Sequence, residues 1–150
     1  MTLGETYKFI HVLAAIVWVG GGTLTLIFTW RALAADREHR LGFARDVEVL
    51  SNRVFAPASV VALISGILMV LDIDAFEFSQ AWILIGIIGL AVSVVLGMGF
   101  FGPHTKRLVT EISSNDPKAE GRLALIAKMS VIDMAILYAV VWAMVARPGL

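Results

Sequence analysis

Cysteine is absent from the 150 residues, which excludes disulfides, thiolate metal sites and cysteine nucleophiles and leaves the redox compartment open. Charge is scarce as well. Asp, Glu, Lys and Arg make up 16% of the chain, against about 25% in an ordinary soluble domain. There is no phosphate-cradling glycine loop, no HExxH and no serine-elbow motif, so the common soluble-enzyme constellations are missing. The opening MTLGETYKFIHV lacks a basic n-region followed by a small-residue cleavage site, so the first apolar run reads as a retained span and not a removed signal peptide.

What fills the chain instead is apolar residue. The hydrophobic share is 59% and the mean hydropathy +0.85, and the charges fall in blocks between apolar runs, as in a polytopic membrane protein. Crossing a hydrocarbon core about 30 Å thick takes about 20 mostly apolar residues in a helix. Four stretches qualify: about 7–30, 55–71, 82–101 and 123–146. The second is entered through Pro57, acceptable in a first turn, and the third is expected to stop at Gly102-Pro103. These predict an all-α, four-transmembrane-helix bundle forming a single integral membrane domain over residues 1–150.

The sign of the charge orients it. The connection from Arg31 to Arg53 holds five basic residues, and the one after His104 holds five more, whereas Asp72–Gln80 holds three acids and no base. Short loops rich in Lys and Arg stay cytoplasmic, so the expected topology is N-out and C-out. Apolar residues recur through the first connection, which predicts a helical extension or an interfacial helix there. Ser113–Pro117 reads as a turn. Basic residues confined to connections give no sign of nucleic-acid binding; the expected partners are the lipid bilayer and a membrane-protein partner or a second copy.

Two glycine patterns bear on packing. Gly89, Ser93 and Gly97 recur every four residues, with Gly86 nearby, a spacing that lets helix backbones approach closely in lipid. Gly20, Gly21 and Gly22 follow one another inside the first span, at up to about 1 kcal/mol each relative to alanine. They imply either a tight crossing or room for a bulky flat ligand.

Ionisable residues inside apolar spans are costly and face a bundle interior or a cavity. His11 lies about one turn inside the first span, with Trp18 seven residues on. It is either an interfacial histidine bonded to Asp72 or Asp74, or a ligand. His39 sits among charges and reads as a solvated surface residue. His104 lies at the opposite end of the third span, about 25 Å from His11, so one iron cannot bind both. Met69 and Met144 reach the His11 end from the second and fourth spans. Methionine partners histidine at haem iron, and its thioether suits Cu(I). Asp133, deep in the fourth span, is expected to form a structural ion pair with Lys128 or with Arg53, whose long stem reaches inward; the alternative is a proton-handling or substrate-binding group near the inner face.

The string KFIHVLAAIVWVGG resembles the first span of CopD-like copper-resistance membrane proteins, in which a histidine precedes a WxGG-like element. It also resembles HemJ-type protoporphyrinogen oxidases, whose second helix opens with an arginine before a Pro-Ala element; here Arg53 precedes Ala56-Pro57-Ala58. The chain as a whole most resembles the short, uncharacterised four-helix "predicted integral membrane protein" family of bacteria. The resemblance implies a bacterial inner-membrane protein binding b-type haem, with copper as second choice, and a redox role; if an enzyme, it is a membrane oxidoreductase. Carried over by residue, His11 matches the histidine implicated in haem or copper binding and Arg53 the arginine before the second helix. With the residues read above, the expected set is His11, Trp18, Gly21, Gly22 and Arg53 at the cofactor and His11, Met69 and Met144 at a metal. The lysine that HemJ-type proteins carry after the tryptophan opening the third span is missing: Trp82 is followed by Ile-Leu-Ile-Gly. The alternative is a cofactor-free accessory subunit of a larger membrane complex. A small transporter using Asp133 is the weakest reading, since neither repeated halves nor a broken helix pair is present.

Overall fold

A computed structural model describes residues 2–149, and among them the structure is helical with no strand. Four helices are long and apolar enough to cross a membrane: α1, Leu3–Leu33; α2, Arg37–Asp72; α3, Ala81–Ser113; and α4, Lys118–Ala146. Each is longer than its apolar run. At 1.5 Å per residue, the 33 residues of α3 extend about 50 Å, so α1, α2 and α3 project beyond the apolar slab at the end rich in arginine. The charged connection between α1 and α2 is thus mostly helix, the N-terminal extension of α2.

Local chemistry sets the helix starts. Thr2 and Glu5 form a capping box at α1: the Glu5 amide donates to the Thr2 hydroxyl at 3.2 Å and the Thr2 amide to the Glu5 carboxylate at 2.8 Å. Asp36 caps α2 by accepting the His39 amide at 2.9 Å. His39 itself is exposed and bonded to Asp36, the surface histidine its neighbours predict.

The expected stop at Gly102-Pro103 does not occur. Proline in a helix interior lacks a donor and clashes with the carbonyl four residues back. Here Gly97–Phe101 forms a wide π-type turn, in which the Gly102 amide bonds the Gly97 carbonyl, and α3 continues through Pro103 to Ser113. Helix α2 uses the same device: the π-type turn Ser51–Phe55 places Pro57 at the same offset that Pro103 has in α3. A third such turn, Ile16–Gly20 in α1, has no proline after it and precedes Gly21 and Gly22. A Cβ on Gly21 would lie 2.6 Å from the Phe55 ring, and one on Gly22 2.9 Å from the Met134 sulfur. Gly21 and Gly22 therefore serve a tight crossing of α1 against α2 and α4, while Gly20 faces open space; the room a flat ligand would need at Gly21 and Gly22 is filled by Phe55 and Met134.

Helix α3 meets α4 along its small residues. Met144 packs onto Gly86 and Val140 onto Gly89, with Ser93 buried beside Asp133. The largest cluster of buried apolar residues lies at the arginine-rich end, where Ala32, Ala44, Leu108, Ile112, Leu123 and Ile126 bring all four helices together. Toward the end carrying both termini, α1 stays on α2 and α3 stays on α4, but the two pairs separate.

Candidate functional site

The separation of the pairs leaves a cavity of about 60 Å³ between α2 and α3 near the termini, walled by Gly66, Met69, Trp82, Gly86, Met144 and, from α1, His11. Phe76 and Phe78 of the α2–α3 connection close it from the terminal side. Phe76 meets Trp82 edge to face at 5.1 Å, and the Arg147 guanidinium lies 5.4 Å from the centroid of each ring. Arg147 takes a left-handed conformation (φ 46°) as α4 ends, which turns the chain back over this lid. The Trp82 indole N–H is buried without a partner.

His11 is half-buried and fixed. Its Nδ1 lies 2.8 Å from the Ala62 carbonyl of α2. A carbonyl only accepts, so Nδ1 carries the hydrogen, and in the neutral ring Nε2 is the bare nitrogen. The Ser65 hydroxyl adds a looser contact to Nδ1 at 3.4 Å. Gly66 makes the approach feasible: a Cβ there would stand 3.1 Å from His11 Cε1 and 3.3 Å from Nδ1. The bond to Asp72 or Asp74 expected of an interfacial histidine is not formed; backbone of α2 holds the ring instead. Metal-binding histidines are oriented in this manner, with the second nitrogen donating to a backbone carbonyl or carboxylate.

The structure thus gathers His11, Met69 and Met144 on one cavity. It does not bring Trp18, Gly21, Gly22 or Arg53 to it. Trp18 does not line the cavity: seven residues beyond His11, it lies about 10 Å further along the axis. Gly21 and Gly22 are engaged in the helix crossing, and Arg53 is exposed in the turn preceding Pro57. Gly66, Ala62 and Trp82 were not read from the sequence as site residues. The signal for Gly66 is positional: a glycine one helical turn from Ala62, in the second span, where a side chain from a neighbouring helix reaches backbone.

No group of three His, Asp or Glu side chains converges among the described residues, so a metal at His11 would rest on one imidazole and thioether sulfur. A porphyrin does not fit: 60 Å³ compares with about 300–1,000 Å³ for pockets that hold drug-sized ligands. A single ion fits, and the donor types suit Cu(I).

At the opposite end Arg37, Arg40 and Arg122 are committed to holding helices. Arg40 donates to the Ala32 and Leu33 carbonyls that end α1, at 3.0 and 2.8 Å, and Arg37 to the Ile112 and Ser113 carbonyls that end α3, at 2.9 and 2.8 Å. Cations there complement the helix dipole as well as the orphan carbonyls. Arg122 makes a bidentate pair with Glu111 and donates to His104 Nδ1 at 2.9 Å, while the His104 ring stacks on Phe100 at 4.3 Å. The Arg122 guanidinium holds the Glu111 carboxyl below its ordinary range. A groove of about 500 Å³ lies at this end, but its Arg37 and Arg40 are the helix-capping pair.

The chain belongs to the DUF2269 family of predicted integral membrane proteins, whose model matches residues 5–148. No curated protein and no solved structure matches it.

Proposed function

We propose that this member of the family is a copper-handling protein of the bacterial inner membrane, holding Cu(I) in the outer half of the bilayer between α2 and α3. The observation that carries the reading is the His11–Ala62 hydrogen bond of 2.8 Å. It leaves Nε2 bare on a cavity that the thioethers Met69 and Met144 also wall. Soft sulfur with imidazole stabilises copper in its reduced state. The orientation follows from charge: the arginine-rich end faces the cytoplasm, and the termini and the acidic connection face outward. Asp72, Asp74 and Glu77 then lie on the side from which a cation arrives, while Phe76 and Trp82, with Arg147 over both rings, stand at the cavity's terminal side.

Haem iron would take the same nitrogen with a methionine opposite, but it requires α2 and α3 to part well beyond their present separation. The test is X-ray absorption at the copper edge on purified protein loaded with one equivalent of Cu(I). The reading expects a mixed nitrogen and sulfur shell that loses its nitrogen in His11→Ala and sulfur in Met69→Leu or Met144→Leu. A shell of oxygen and nitrogen alone, unchanged by these substitutions, would sink it. A Soret band in protein from haem-replete cells, abolished by His11→Ala, would favour haem instead.

A further inference from the structure

Asp133 stands alone in the apolar slab. Helix α4 carries it about 20 Å from either end, at 1.5 Å per residue, which places it near the bilayer midplane. The facing elements offer no cation. Between Lys8 and Arg31, α1 contains no charged residue, and between Arg53 and Asp72, α2 contains none; α3 has none from Ala81 to Pro103. On α4 itself Lys128 is five residues away, roughly 140° around the axis, and exposed. The expected interhelical ion pair is accordingly not formed, and Arg53 is exposed at the arginine-rich end. Asp133 Oδ1 is buried with no hydrogen-bond partner. Its polar neighbour is the hydroxyl of Ser93, which is 3% exposed and reached because Gly86 and Gly89 bring α3 close to α4.

An ionised carboxylate in such surroundings has no counter-ion among the described residues. Burying an unpaired charge costs far more than burying a neutral polar group, and the group discharges that cost by taking up a proton. We infer that Asp133 is an intramembrane proton-binding site, a carboxyl that carries a proton beside Ser93 at neutral pH and exchanges it with solvent. The other ionisable groups near this level are Tyr138, on the same helix and bonded through its hydroxyl to Thr23 of α1 at 2.9 Å, and His11, one helix away toward the termini. Neither supplies a fixed positive charge to Asp133. The inference does not rest on copper at His11.

Infrared spectroscopy on the metal-free, full-length protein in liposomes tests it. At pH 7 the wild type should show a protonated-carboxyl C=O band that moves when aspartate is labelled with ¹³C and moves again in D₂O. The band should be absent in Asp133→Asn and shifted in Ser93→Ala. Only ionised aspartate bands in the labelled wild type would overturn the assignment, and that arm needs no variant to fold. A protonated band that survives Asp133→Asn would overturn it too. A band that stays fixed in D₂O would overturn the exchange.

Discussion

The two ends of the bundle are built on opposite plans. At the arginine-rich end all four helices share one apolar cluster and are cross-tied: Arg40 closes the end of α1, Arg37 the end of α3, and Arg122 joins α4 to α3 through Glu111 and His104. At the termini the helices hold together only in pairs, and a cavity opens between the pairs. Arg37, Arg40 and Arg122 at the first end are consumed by helix ends and by Glu111 and His104. At the second end His11 keeps one nitrogen bare, and the Trp82 N–H has no partner. Rigidity supplied at one end lets the other keep open space, which close-packed interiors otherwise eliminate.

The comparison breaks most readily at the tied end. Arg122→Ala removes a bidentate, mostly buried pair and leaves Glu111 without its cation, so it should cost about 2–3 kcal/mol, read as a lower unfolding midpoint in detergent. Next comes the α3–α4 seam. Gly89→Ala drives a methyl into the branched Val140 side chain and should cost about 2 kcal/mol. Gly86→Ala meets only the flexible end of Met144, so it should cost less while displacing that thioether. The cavity end is sharpened by Gly66→Ala, which pushes His11 off the Ala62 carbonyl. Loss of such an orienting bond weakens metal affinity by about 10–100-fold, measured by Cu(I) competition titration, with little change in the unfolding midpoint.

Removing a single tie, Arg40→Ala, should cost about 1 kcal/mol. The smallest effect is a pH dependence. Glu111 has a folded-state pKa lowered chiefly by its hydrogen bond to Arg122. Its contribution is therefore present above the ordinary glutamate value of about 4.3 and is lost as pH falls through the lower folded value. Unfolding midpoints of wild type and Glu111→Gln should converge as the solution is acidified across that window.

The membrane-spanning plan was legible because hydropathy and the distribution of arginines are properties of long stretches. The extension of α2 showed in its recurring apolar residues. The continuation of α3 did not show, because Gly102-Pro103 reads as a stop unless the wide turn ahead of it is known, and π-type turns have no sequence mark of their own. The paired device in α2 and α3 is visible only afterward, as a proline at a fixed distance beyond each turn. Gly20–Gly22 left two readings, and only the positions of Phe55 and Met134 decide between them. The pairing expected for Asp133 failed because Lys128 lies on another face of the same helix. His11, Met69 and Met144 could be placed at one end by span direction, but the bond that fixes the imidazole goes to a backbone carbonyl, which no residue type advertises.

Copper stoichiometry in two histidine variants tests the central claim most directly. Cu(I) titrated into the full-length protein should bind with one ion per chain in the wild type and in His104→Ala, whose ring belongs to the tied end, and should bind well below that stoichiometry in His11→Ala. Equal copper in His11→Ala and wild type, or no copper in the wild type, would contradict the account.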